Sequence, residues 1–301
     1  MQSVIKIGSR ESRLAVIQAE IIRELILRRH PEIQVELVTM KTTGDKILDK
    51  SLELIGGKGL FVKELDYALL EGRIGISVHS LKDMPMEVCG ELPVVAYSKR
   101  EDPRDALIYR QGLSELPKGG TVGTSSRRRA LQLAGLYPGC SFQGIRGNVQ
   151  TRLRKLEEEG YDGTVLAAAG LRRLGMAGII GRIFGTEEIV PAAGQGILAV
   201  QGRRGEDHSY LDWVQCQKSK AEALAEREFV AALGGGCTSP AAAHAQANGT
   251  ELKLTGLYCR EEDNAYWTAT KTGKAEEARQ VGEALAKEMS GLAGHGLRGK
   301  W

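Results

Sequence analysis

The sequence predicts an α/β fold followed by a smaller α+β domain, and three observations carry that reading. Strand-like and helix-like segments alternate through the first two-thirds of the chain. The strand-like segments end in polar, often cationic junctions that lead into helices. After Lys218 the rhythm changes to one helix, a glycine-rich turn and long strand-like runs. With 301 residues, 42% hydrophobic and 26% charged, the chain has the makeup of a globular protein too long for one ordinary core.

The elements follow in order. VIKIGS, from Val4, reads as a strand, and the next segment places Leu14, Ile17, Ile21, Leu25 and Ile26 at helical spacing before Pro31 stops it. VELVTM and GISVHS continue as strands. Between them ILDKSLELIGGKGLFVKE, from Ile47, breaks the alternation, and its GGKG core reads as a mobile surface loop running into a helix. PVVAYS, TVGTSS, SFQGIR and TVLAAAG are further strand candidates, with VQTRLRKLEEEG a helix among them. Such alternation argues for mainly parallel sheets. KREDPRDA and PAAGQG read as crossings between domains. The expected boundaries are residues 1–98 with 193–214 for a discontinuous first domain, 99–192 for a second and 215–301 for a third. In the third, KAEALAEREFVAAL is a helix, ELKLTGLYCR and YWTATKTG are strands, and a last helix starts near Ala275.

Composition removes several classes of function. Five widely spaced cysteines with no CxxC pair indicate neither a zinc ribbon nor a disulfide framework, so no metal site is expected and a reducing cytoplasm fits best. The opening residues lack a secretory signal, and no apolar run reaches the roughly 20 residues that span a bilayer. There is no Ser-His-Asp order, GxSxG, Walker A or HExxH motif. Aromatics are only 5%, too few to interleave the basic clusters as a single-strand nucleic-acid platform requires. A monomer is the default expectation.

What remains points to an anionic ligand. Arginines cluster at 127–129, at 146, 152 and 154, and at 172–173, and guanidinium forks suit carboxylate or phosphate. Four polar junctions fall where strands end: Arg10 in GSR; Ser80, Lys82 and Asp83 in HSLKDMP; Thr124, Ser125 and Ser126 in GTSSRRR; and Arg146 and Asn148 in IRGNVQTRLRK. Ligands of open α/β sheets bind at the carboxyl ends of strands, so these junctions are expected to line one cleft. Asp83, a carboxylate among cations, reads either as a salt-bridge partner or as a group that offsets positive charge on a substrate. In LGGGCTSPAA the glycines beside Cys237 leave room for something bulky at the sulfur. A clamshell anion-binding protein and an enzyme using Cys237 as a nucleophile both remain open on these residues, with nucleic-acid binding a weaker third.

Taken together, IGSRESRLA, GGKGLFVKELDYALL, SVHSLKDMP, REDPRDAL, VGTSSRRR, IRGNVQTRL, LAAAGLRRLG, PAAGQG and GGGCTSP resemble the porphobilinogen deaminase (hydroxymethylbilane synthase) family, in the family's order from Ile7 to Pro240. The resemblance implies two domains like those of type II periplasmic binding proteins and a third carrying the cysteine. It implies a transferase of tetrapyrrole biosynthesis that joins four porphobilinogen units with loss of ammonia, primed by a dipyrromethane held through a thioether to Cys237. Asp83 would then hold pyrrole N–H groups and stabilise the cationic azafulvene formed as ammonia leaves. Ser80, Lys82, Thr124, Ser125, Ser126, Arg128, Arg129 and Arg146 would bind the cofactor. Arg10, Arg146, Arg152 and Arg173 would bind substrate acetates and propionates, with Gln195 nearby, and Lys58 and Phe61 would belong to a lid. Arg127 is expected on the surface, outside the site.

Overall fold

The computed structural model describes residues 4–42, 62–235, 240–260 and 265–293. In chain order they begin with β1 (Val4–Arg10), α1 (Arg13–Leu27), β2 (Gln34–Met40), α2 (Lys63–Leu70), β3 (Ile76–Ser80) and β4 (Val94–Tyr97). Next come β5 (Asp105–Tyr109), β6 (Thr121–Gly123), α3 (Arg127–Leu136), β7 (Ser141–Gln143), α4 (Val149–Glu158), β8 (Gly163–Ala167), α5 (Ala168–Arg173) and β9 (Arg182–Ile183). The chain closes with β10 (Leu198–Gly202), α6 (Gln217–Ala232), β11 (Ala242–Asn248), β12 (Glu251–Cys259), β13 (Tyr266–Lys274) and α7 (Ala278–Ala293). Residues cluster into two compact units, Met1–Glu101 with Gly196–Lys220, and Asp102–Gln195 with Ala221–Trp301.

The first unit is built on a five-stranded sheet ordered β2-β1-β3-β10-β4. β1 runs parallel to β2 and β3, whereas β10 is antiparallel to both of its neighbours. The sheet is therefore parallel in direction except for the one strand that returns from the far end of the chain. Its core packs Ile22 and Ile26 of α1 on Ile7, Ile76, Val78 and Val200, all buried. Gly8 is required where it stands, because a Cβ there would collide with the Ile74 side chain and meet Leu65 at 3.0 Å. Close packing of α2 on β1 depends on that missing methyl.

The second unit repeats the plan in β7-β6-β8-β5-β9. β6 is parallel to β7 and β8, and β5 is the reversed strand. Leu107, Val122, Leu133, Val165 and Phe184 form one side of its core, and Ile108, Ile145, Leu156 and Leu171 the other. The two sheets share one strand order, each with a single reversed strand, and a small α+β module completes the chain. In that module β11, β12 and β13 form an antiparallel sheet. Glu222 and Glu226 of α6 accept the backbone N–H groups of Ala247 and Ala245 at 3.0 and 2.7 Å, which supplies partners that the edge strand β11 lacks.

The structure adds four strands that periodicity did not mark: β5, β9, β10 and β11. β5 starts in the last two residues of the segment read as a crossing, and β9 has only two residues. β11 is alanine-rich and therefore poor in strand propensity. α1 ends at Leu27, before Pro31, with Arg28 as its C-cap.

Candidate active site

In the first unit the carboxyl ends of β1 and β3 lie side by side, since Ile7 and Gly8 pair with Ile76 and Ser77. Both strands hand over at once to polar turns. β1 ends at Arg10, and Ser12 caps α1 by accepting from Ala15 N. β3 ends at Ser80, after which a 3-10 turn, Leu81–Asp83, is fixed by Leu81 N donating to Ile197 O at 3.0 Å. The result is a pocket lined by Arg10, Gln18, Val62, His79, Ser80 and Asp83. Arg10, Ser80 and Asp83, expected from separate strand ends to face one cleft, share this pocket.

The pocket has a fixed wall and an exposed carboxylate. Gln18, 3% exposed, donates to Ser80 Oγ at 2.8 Å and holds that hydroxyl in place. His79 Nε2 lies 2.8 Å from Ser77 Oγ. Burial above all, then the Arg10 cation, lowers the His79 pKa to about 4, against an opposing hydrogen bond with Gln201. The imidazole is therefore neutral at physiological pH. Asp83 is exposed and, among the described residues, makes no hydrogen bond or ion pair. Its neighbour Lys82 is half-buried.

The second unit presents its polar residues at the equivalent ends of β6, β7 and β8. Thr124 is buried, its N–H donates to Gln143 O at 2.7 Å, and its hydroxyl accepts from Ser126 N at 3.2 Å. Ser125 Oγ donates to Ile145 O at 2.9 Å. Ser126 stands at the N-cap of α3 without a side-chain cap bond. At the end of β7 the chain turns through Gly147, whose φ of 118° no L side chain adopts readily, into the Asn148 cap of α4. Arg152 Nε donates to Gly147 O at 2.9 Å. Arg146 Nη1 is buried without a hydrogen-bond partner among the described residues. Arg173 lies in the last turn of α5.

Three expected ligand residues have protein partners in the structure. Arg128 and Arg129, 4% and 6% exposed, converge on Asp105, each with a 2.7 Å contact. Their remaining bonds reach Val190 O and Val165 O. Burial raises the Asp105 pKa, but the two guanidiniums outweigh it and hold the carboxyl far below the ordinary carboxylate range. Gln195, fully buried, donates to Asp105 Oδ1 at 3.0 Å and to Pro103 O. These side chains frame the second unit, because an unmatched buried Asp105 would be costly. Arg127 is half-buried rather than fully on the surface. Cys237, Lys58 and Phe61 lie outside the described residues.

Sequence reasoning missed Gln18, Asp105 and the part His79 takes in the pocket. Gln18 sits on a helix face otherwise apolar, a signal that was available. Asp105 is one acidic residue among several in REDPRDAL, and only the fold brings it to Arg128 and Arg129. Among the described residues no group of three or more His, Cys, Asp or Glu side chains could hold a metal ion, and no helix is long and apolar enough to cross a membrane.

Comparison with known proteins follows the same lines. Residues 5–211 match the family model described as "Porphobilinogen deaminase, dipyromethane cofactor binding domain", and residues 220–291 match "Porphobilinogen deaminase, C-terminal domain". The chain is 52% identical over 285 residues to the porphobilinogen deaminase of Acetivibrio thermocellus, covering 95% of this chain and 97% of that protein. It is 41% identical over 301 residues to that of Roseiflexus castenholzii, covering 99% of each. Among solved structures it is similar to the methionine-binding protein MetQ, at 15% identity and a TM-score of 0.44, over 70% of this chain and 88% of that one. With both domain models matched in order and this identity held over nearly its whole length, the chain belongs to the porphobilinogen deaminase family, a family of transferases of tetrapyrrole and heme biosynthesis.

Proposed function

We propose that this chain condenses four porphobilinogen molecules head to tail, releasing one ammonia at each step, and frees the linear tetrapyrrole hydroxymethylbilane. The observation that carries this reading is Asp83: a carboxylate without a protein partner among the described residues, in one pocket with Arg10. A carboxylate accepts pyrrole N–H groups and offsets positive charge that develops as ammonia departs. Arg10, Arg146, Arg152 and Arg173 bind the acetate and propionate groups that every pyrrole brings.

The donor set fits a dipyrromethane joined to Cys237. Asp83 supplies the acceptor that pyrrole nitrogens need, and Arg146 Nη1, unpartnered among the described residues, supplies a donor for a side-chain carboxylate. Ser80, Lys82, Thr124, Ser125 and Ser126 complete the hold on the group. When bound, it supplies the nucleophilic pyrrole carbon from which the chain grows. Arg128 and Arg129 contribute through the rigidity of their ion-pair frame. Residues 1–98 with 193–214, 99–192 and 215–301 serve as three domains, the last carrying the cysteine. Lys58 and Phe61 act from the lid segment. The protein works as a monomer in the cytoplasm and needs neither nucleic acid nor membrane; five scattered cysteines accord with a reducing compartment.

The test is to incubate the purified protein with porphobilinogen, measure ammonia, and then locate any adduct by peptide mass. One ammonia released per porphobilinogen consumed, with a two-ring mass on the peptide containing Cys237, is the expected result. Binding without ammonia release, and an unmodified Cys237, would make the protein a clamshell anion binder instead.

A further inference from the structure

Gln150 is the second residue of α4 and is half-buried. Its Nε2 is shut off from solvent and has no acceptor among the described residues. Arg146 Nη1, four residues earlier, is in the same condition. Nearby acceptors are already taken. Asn148 Oδ1 receives Thr151 N at 2.9 Å and Thr151 Oγ1 at 3.0 Å, and Gly147 O receives Arg152 Nε. The stretch IRGNVQTRLRK contains no carboxylate at all. Two desolvated donors on one pinned turn, with no acceptor among the described residues, cost stability until an acceptor arrives.

We infer that Gln150 is a further carboxylate-binding residue, its amide N–H donating beside Arg146 to an acetate or propionate of the growing pyrrole chain. This rests on the assignment of Arg146 above. An amide and a guanidinium together offer flat donors that suit the oxygens of a carboxylate. A neutral amide at this position also accepts the ligand's negative charge, where a glutamate would oppose it.

Gln150→Leu and Gln150→Glu, made in the holoenzyme, test the inference through KM and melting temperature. For Leu we expect KM for porphobilinogen to rise roughly tenfold, the scale of one lost hydrogen bond to a charged group. For Glu we expect a larger rise. The leucine variant should also melt no lower than the parent without substrate, because it removes an unsatisfied donor; a side chain with a merely structural role would lower Tm. An unchanged KM in either variant, or a lower Tm for Gln150→Leu, overturns the inference. Arg146→Ala is the control: if it too leaves KM unchanged, the carboxylate reading of this junction falls as well, and if it alone raises KM, that reading stands without Gln150.

Discussion

The two α/β units share a plan and differ in where they keep a negative charge. In both, a helix follows the second strand of the sheet order, β1 or β6, and the sixth helix residue is a buried glutamine, Gln18 in α1 and Gln132 in α3, each 3% exposed. In both, the reversed strand starts opposite the last residue of the central strand: Leu198 faces Ser80, and Asp105 faces Ala167. There the likeness ends. The first unit fills that corner with apolar Leu198 and leaves its carboxylate, Asp83, exposed in the pocket. The second buries its carboxylate, Asp105, under two arginines. One backbone plan therefore carries an exposed carboxylate in one unit and a buried, ion-paired one in the other.

The largest expected effect breaks the second unit. Asp105→Ala leaves Arg128 and Arg129 buried without their counter-ion and should cost about 3–5 kcal/mol, read as a lower denaturant midpoint. Leu198→Ala, at the equivalent corner, costs the ordinary price of a core cavity, about 2–5 kcal/mol, and should show no added dependence on acid. Asp105 has a folded pKa below its unfolded one. Its stabilisation is therefore full above the ordinary carboxylate value of about 4 and is lost as pH falls below it. An Asp105→Ala protein as stable as the parent would mean that the arginines find other partners.

Asp83→Asn acts on the first unit and should separate function from fold. Because Asp83 is exposed and forms no internal bond among the described residues, Tm should stay within the range of a surface change. Turnover should fall about 10²–10³-fold, the usual cost of losing one preorganised electrostatic group. Parent-like ammonia release from the variant would remove Asp83 from the chemistry.

These two carboxylates also mark the limit of what the sequence discloses. Alternating segments and polar junctions made the α/β plan and the cluster of Arg10, Ser80 and Asp83 legible, because each junction follows a strand by short-range rules. Asp105 was not legible, since its meaning depends on Arg128 and Arg129, more than twenty residues away in the chain. The arginines show the same limit: a guanidinium awaiting a ligand and one bound to a buried aspartate have the same sequence signature. The strand β10 pairs with β3 and β4 across a long insertion, which no local pattern encodes.

His79 sharpens the comparison through pH. Burial and Arg10 hold its pKa at about 4, below the 6.5 of an exposed imidazole. The unfolded chain thus binds a proton more readily between those values, so the contribution to stability is full above 6.5 and is lost as pH falls toward 4. The shift corresponds to about 3 kcal/mol at most. His79→Gln should flatten the slope of stability over that window while leaving the acid limb due to Asp105 intact. Identical slopes in parent and variant would show that His79 is not what makes the first unit acid-sensitive.

The smallest effect compares helix caps. Asn148 accepts Thr151 N at 2.9 Å and so satisfies a free N–H of α4, whereas Ser126 at the head of α3 makes no such bond. Asn148→Ala should cost about 1 kcal/mol, the usual value of a cap. Ser126→Ala should cost only a few tenths, because no cap bond is lost. Under the proposed function the order reverses for substrate: Ser126, whose hydroxyl is unspent, should raise KM when removed, and Asn148 should do so only as far as α4 frays. Measuring Tm and KM on the same two proteins decides this. A large stability loss in Ser126→Ala would mean that its hydroxyl serves the helix, and the polar end of β6 would then be a cap in the second unit, as Ser12 is in the first.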